Sequence, residues 1–295
     1  MSRMHRHRLR GISPRRVIQL ASAAFFNGYA AGFQKGTIFT GRAKAFCVPV
    51  LNCYSCPGAW GACPIGALQA VLGKHRFPFY VLGLLMLFGV VLGRAVCGLL
   101  CPFGLVQDLL HKIPAPKLRV PRIIDRPARL LKYVILIAIP LLAFAADGNG
   151  VIPPYFCKYI CPAGTLEGGM PHLLFTPALR ELAGTLFRWK VLVLLVILIA
   201  AVLIPRPFCR YLCPLGAFYG LFYKFSLFRL RFDRDKCVDC KACEHACPMA
   251  VGVTRETDSP ECIRCGRCAE VCPSGALSCG FAARGTGEDG AFRSH

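Results

Sequence analysis

Hydrophobic positions along this chain fall into long runs rather than alternating, and four of the runs approach the length of a membrane-crossing helix. The weakest, 17–33, is broken by Asn27 and follows the basic residues Arg3, Arg6, Arg8, Arg10, Arg15 and Arg16. A cleaved signal peptide with a twin-arginine pair is its rival reading; without a clear small-residue cleavage site, a retained first span is preferred. Residues 78–96 are the clearest span, ~28 Å of helix. The run 130–146 carries Pro140 as an expected kink, and 191–204 is extended by Leu186, Phe187 and an interfacial Trp189. After residue 232 the long apolar runs stop. The pattern predicts a transmembrane domain over 1–232, a small domain over 233–279 and a disordered tail over 280–295.

Composition sharpens this. With 55% hydrophobic and 17% charged residues the chain is neither disordered nor a coiled coil, and a soluble enzyme domain is a poor fit. Lys and Arg number 36 against 15 Asp and Glu, a net charge of +21. Residues 233–279 are slightly acidic, so the excess lies among the apolar runs. That is the distribution of the positive-inside rule rather than of a nucleic-acid-binding face. Lys112, Lys117, Arg119, Arg122, Arg126, Arg129 and Lys132 separate the second and third runs. They place that loop and both termini in the cytoplasm of a bacterial inner-membrane protein. Lys35, Arg42, Lys44, Lys74 and Arg76 weigh against this topology.

The 19 cysteines are grouped, which favours metal ligation over a disulfide framework. Near the carboxyl end stand Cys237, Cys240, Cys243 and Cys247-Pro248, then Cys262, Cys265, Cys268 and Cys272-Pro273. This is C-x2-C-x2-C-x3-C-P twice, in which three close thiolates hold one 4Fe-4S cube and the fourth serves the other. Cys237, Cys240, Cys243 and Cys272 form the first expected set; Cys262, Cys265, Cys268 and Cys247 form the second. Zinc would call for two C-x-x-C pairs on a longer spacer. Met249-Ala250 stands where the second copy has Ser274-Gly275, a change read as harmless.

The earlier cysteines form a repeat. ACPIGALQ (62–69), CGLLCPFGLVQD (97–108), CKYICPAGTLEG (157–168) and CRYLCPLGAFYG (209–220) share Cys-Pro-x-Gly before a helix-like run. Two related halves side by side are implied. Cys97, Cys101, Cys209 and Cys213 would gather into an inner 4Fe-4S site, with helix amino ends aimed at it. On the outer side Ala59 replaces the cysteine equivalent to Cys157, so the fourth ligand comes from Cys53 or Cys56; Cys56, Cys63, Cys157 and Cys161 are the preferred set, with disulfides as the alternative. Cys279 has no companion. The aromatic stretch 218–232 reads as an interfacial helix. His75, His111 and His172 lie near expected interfaces, and His75, His111 and Asp108 are the candidate quinone contacts.

Residues 236–279 resemble a bacterial two-cluster ferredoxin. With four spans and the C-x3-C-P pairs, nearly the whole chain is similar to the NapH-type membrane ferredoxins, quinol dehydrogenase components of periplasmic nitrate reduction. It is also similar to the iron-sulfur half of NosR-type and MauN-type proteins. The resemblance implies a four-helix membrane bundle with cytoplasmic clusters at Cys97/Cys101 and Cys209/Cys213. The added outer cysteines and the absence of a flavin-binding domain depart from it. The expected fold is thus an α-helical integral membrane bundle in two pseudo-repeated halves with a carboxyl-terminal α+β ferredoxin domain. The expected function is electron transfer between a quinol or cytoplasmic donor and a membrane or extracytoplasmic redox partner. The alternative is an assembly factor that keeps a partner metalloenzyme reduced during cofactor loading. No acid-base, nucleophile or phosphate-loop constellation competes.

Overall fold

The structure, a computed structural model, describes residues 13–118, 120–145, 152–175, 181 and 184–281. Most of the expected disordered tail lies outside them. Gly280 and Phe281 are ordered in a strand, so the small domain runs past 279.

The first half comprises α1 (Pro14–Phe26), α2 (Ala30–Lys35), α3 (Pro64–Leu72), α4 (Phe79–Val91) and α5 (Pro102–Leu110). Then α6 (Arg122–Ala145) leads to α7 (Met170–Phe175), α8 (Thr185–Leu203), α9 (Pro207–Tyr211) and α10 (Pro214–Leu221). The expected first span is two helices. The chain leaves helical geometry at Asn27, whose amide side chain turns back onto Ala23. Among the described residues only α8 is both long and apolar enough to cross a membrane by itself. The other expected spans are helical but shorter (α4) or flanked by charge (α6, with Pro127 and Pro140 inside), so the four-span bundle is not established by helix length.

Each Cys-Pro-x-Gly copy makes the same local structure. Cys63, Cys101 and Cys213 sit at the N-cap in extended geometry (φ −64°, −70°, −76°), and proline follows at the first helical position, where a missing N–H costs nothing. Cys161 has the same backbone (φ −69°). In the three full C-x3-C copies the chain before the second cysteine is wound as a π-turn (Val96–Leu100, Phe156–Ile160) or as the short α9. The two cysteines therefore stand about one turn apart on the same side.

The ferredoxin domain closes on one two-stranded antiparallel sheet, β1 (Phe228–Phe232) against β2 (Leu277–Phe281), with Leu230 opposite Cys279. The aromatic stretch expected as one interfacial helix thus ends its helix at Leu221 and becomes a strand at Phe228. Short helices α11 (Ala242–Ala246) and α12 (Arg267–Glu270) carry the cysteine runs. Ala250 has φ +47°, where its counterpart Gly275 has +65°. The substitution expected to be harmless therefore holds a side chain in the left-handed region, a strain glycine avoids.

The small domain is fastened to the bundle. Met249, Val251 and Ile263 join the bundle's hydrophobic core. Arg94 donates to the Pro260 carbonyl (2.7 Å) and Glu261 (3.0 Å), and Arg129 to the Met249 carbonyl (2.9 Å). Gly98, beside Cys97, lies flat against Ile263 and Cys265, and a Cβ there would run into the Ile263 carbonyl. Gly98→Val should therefore cost ~1–3 kcal/mol by overpacking and loosen the docked domain. Hydrogen exchange should show faster amides across 228–281, with the helical bundle unaffected. Unchanged protection there would contradict this contact.

Candidate metal centres

All but Cys47, Cys56 and Cys279 of the 19 cysteines fall into four groups. Cys237, Cys240, Cys243 and Cys272 line one small cavity with Phe232, Val238 and Leu277. Cys247, Cys262, Cys265 and Cys268 lie within one another's electrostatic field. Burial, together with Cys247 and Cys265, pushes the Cys262 thiol up to about 12. Cys279, expected to be alone, stands beside Cys265 and Cys268, and burial pushes its thiol up to about 11. Cys97, Cys101, Cys209 and Cys213, all buried, form the third group.

In the fourth group, Cys53, Cys63, Cys157 and Cys161 line one cavity with Tyr54, Gly164 and Lys190. Cys56, the expected member, instead points its sulfur at Asn27 Oδ1 (3.4 Å). Pseudo-symmetry explains why Cys53 is there. Glu167, six residues after Cys161, accepts from the Cys53 backbone N–H (2.7 Å). Gln107, six after Cys101, accepts from the Phe208 N–H (3.1 Å) and donates to Cys209 Sγ (3.1 Å). Gln69, six after Cys63, accepts from Phe156 N–H (3.0 Å) and donates to Cys157 Sγ (3.2 Å). The repeat strings carry this sixth position in plain view, yet its role shows only once the halves face each other.

The surroundings fit an anionic, metal-bound sulfur cluster. In all four copies the motif glycine (Gly66, Gly104, Gly164, Gly216) offers its backbone N–H to the cysteine sulfur, and Gly216 N lies 3.4 Å from Cys213 Sγ. The same glycines leave room for cations: Arg206 packs on Gly104, Arg94 on Gly216 and Lys190 on Gly164. Arg94 and Arg206 each stand three residues before the first cysteine of an inner pair, and they cross. Arg206 donates to the Cys97 carbonyl (2.8 Å) and Arg94 to the Cys209 carbonyl (3.4 Å). Asp108 is shared by Arg206 (2.6 and 2.9 Å) and Arg15, and Glu261 by Arg94 and Lys132. On both sides buried cations outnumber carboxylates two to one. Such an excess is costly unless negative charge lies between them, as thiolates of a 4Fe-4S cluster would supply. No three His, Cys, Asp or Glu side chains among the described residues converge on a single ion. Cys237/Cys240/Cys243/Cys272 and Cys53/Cys63/Cys157/Cys161 each line a cavity. All 19 cysteines are free, so no disulfide ties the outer ones.

The three quinone candidates are not brought together. Asp108 is held by Arg15 and Arg206 rather than by His111. His75 sits in the turn between α3 and α4, with φ +54°. His111 lines an open cavity with Arg122, Arg210, His245 and Cys247. His172 bonds the Ser55 carbonyl (2.9 Å).

Asp108→Asn would leave Arg15 and Arg206 facing each other without their counter-ion, at a cost of ~3–5 kcal/mol. Chemical unfolding of detergent-solubilised protein should report that loss, whereas the exposed Asp235→Asn should leave stability unchanged. Equal stabilities would remove the charge argument.

Comparison with known proteins places the chain among 4Fe-4S proteins. The family described as a 4Fe-4S binding domain matches residues 61–81, 77–121, 133–171 and 185–233, and a 4Fe-4S dicluster domain matches 229–273. An uncharacterized protein of Methanocaldococcus jannaschii is 32% identical over 65% of this chain and 74% of its own length. The methylamine utilization ferredoxin-type protein MauN of Paracoccus denitrificans is 31% identical over 79% of this chain and 74% of its own. The ferredoxin-type protein NapH of Haemophilus influenzae is 30% identical over 57% of this chain and 52% of its own. No solved structure matches. The chain belongs to the NapH/NosR/MauN-type family of 4Fe-4S ferredoxin-type proteins.

Proposed function

We propose that this chain is a membrane-embedded electron conduit holding four 4Fe-4S clusters in series. The observation that carries the reading is the order of the thiol groups. The set Cys237/Cys240/Cys243/Cys272 lies at the open end of the ferredoxin domain, where Cys240 is exposed. The set Cys247/Cys262/Cys265/Cys268 is pressed on the bundle where Cys265 meets Gly98. Next come the inner four, and then Cys53/Cys63/Cys157/Cys161 on the far side. One-electron exchange is what such clusters supply when bound.

The chain supplies the rest. Glycine amides and buried guanidinium groups stabilise sulfur charge, apolar packing keeps water out, and the Arg94–Glu261–Lys132 contact fixes the second set against the third. Membrane embedding is supported by an inside-out α1: Arg15, Gln19 and Ser22 face the core, while Val17, Ile18, Leu20 and Phe25 are exposed. The same apolar outer surface continues over Leu87, Ile137, Leu141, Val196 and Ile199. Basic residues between α5 and α6 support a cytoplasmic ferredoxin domain and cytoplasmic termini.

The partners are a soluble carrier at the ferredoxin end, a lipid-phase quinone at the cavity walled by His111 and His245, and an extracytoplasmic acceptor or donor near Lys190. His111→Leu should weaken binding of a short-chain quinone to the purified protein in a fluorescence titration; equal affinity would remove the quinone from this cavity.

Iron and sulfide analysis of anaerobically purified protein should give about sixteen irons per chain, where a ferredoxin pair alone gives about eight. Cys53→Ser should remove about four of them and Cys56→Ser none. Eight irons in the wild-type chain would overturn the four-site reading, and iron loss from Cys56→Ser alone would reassign the outer set.

A further inference from the structure

The sixth position after the motif cysteine is Gln69, Gln107 and Glu167 in three copies, and each of these reaches the opposite half of its own thiol site. In the fourth copy it is Tyr219, which does something else. Its side chain is fully buried, and its hydroxyl donates to the Pro49 carbonyl (2.8 Å). Pro49 follows Val48, whose N–H donates to the Ala62 carbonyl (3.0 Å), and Ala62 is bonded to Cys63 of the outer set. The Tyr219 side chain shares one buried core with Cys97, Cys101 and Cys213 of the inner set and with Cys63 of the outer set. Covalent and hydrogen bonds therefore run from Cys63 through Ala62, Val48 and Pro49 to Tyr219, which is packed in the same core as the inner thiols.

Resting on the four-site reading, we infer that Tyr219 is the positioning residue that couples the inner and outer thiol sites, its ring and hydrogen bond to Pro49 forming the path for electron exchange between them. One electron leaves one site as one arrives at the other. No bond is made or broken, and the hydroxyl proton stays between Tyr219 and Pro49. The Tyr219 hydroxyl is engaged by the Pro49 carbonyl and reaches no solvent. Its place in the core explains why the repeat departs from an amide or carboxylate at this one position.

The test compares wild type with Tyr219→Phe and Tyr219→Leu in anaerobically purified full-length chain. Three quantities are read: iron content, the EPR signal of each reduced site with its midpoint potential, and the rate of electron equilibration between inner and outer sites after flash photoreduction. Tyr219→Leu should keep iron and potentials yet slow equilibration by on the order of tenfold, since the void left by the ring has no atoms to carry coupling. Tyr219→Phe should slow it less, through loss of the hydrogen bond alone. A wild-type rate in a fully loaded Leu variant would overturn the proposal. Should the Leu variant lose iron, the Phe variant decides: slowed exchange supports the bridge and a wild-type rate refutes it. Failure of the four-site reading would look different, because the wild-type chain itself would then show no outer-site signal.

Discussion

A thiolate buried among hydrocarbon persists only where donors and positive charge face it. That single constraint accounts for most of what is particular about this chain. Proline after each motif cysteine starts a helix at once, so the positive end of the peptide dipoles points at sulfur. Glycine at the third position lends its amide to the same sulfur and leaves space for a guanidinium or ammonium group to approach. The buried arginines Arg94 and Arg206 then need carboxylates of their own, and Glu261 and Asp108 meet that need without cancelling the positive excess.

Glu261 belongs to the ferredoxin domain, whereas Arg94 and Lys132 belong to the bundle. Docking of the small domain and charge balance at the inner site are therefore one event. The flat contact at Gly98 adds a steric condition, bringing Cys265 against the loop that bears Cys97. A ferredoxin domain held by hydrophobic packing alone could sit in several orientations. The ion pairs, which lose value quickly with misplacement, select the one that aligns the thiol sets.

Much of this was legible in the sequence. The two four-cysteine runs and the pairs Cys97/Cys101 and Cys209/Cys213 are local spacings, and local spacings survive into structure. The family resemblance rested on the same motifs. Cys53 and Cys56 were both candidates for the fourth outer position, and the sequence did not choose between them, since the choice depends on how residues 46–62 fold back between the halves, where Glu167 accepts from the Cys53 N–H and Val48 pairs with Ala62. The separation of the three quinone candidates was hidden for a similar reason. Asp108 lies near His111 in sequence but faces the opposite way, toward Arg15 and Arg206. Asn27 was visible as a break in the first apolar run, whereas apolar composition did not show that Arg15 and Gln19 would face inward. The four glutamine, glutamate and tyrosine positions were visible as letters, and only the facing halves gave them meaning.

The most direct measurement places the purified chain in sealed vesicles containing an impermeant oxidant, with a reduced ferredoxin supplied on the side of the small domain. The account predicts that the enclosed oxidant is reduced steadily, at a rate proportional to correctly oriented protein and abolished by Cys213→Ser. Reduction of the ferredoxin-domain sites with no loss of enclosed oxidant would contradict it.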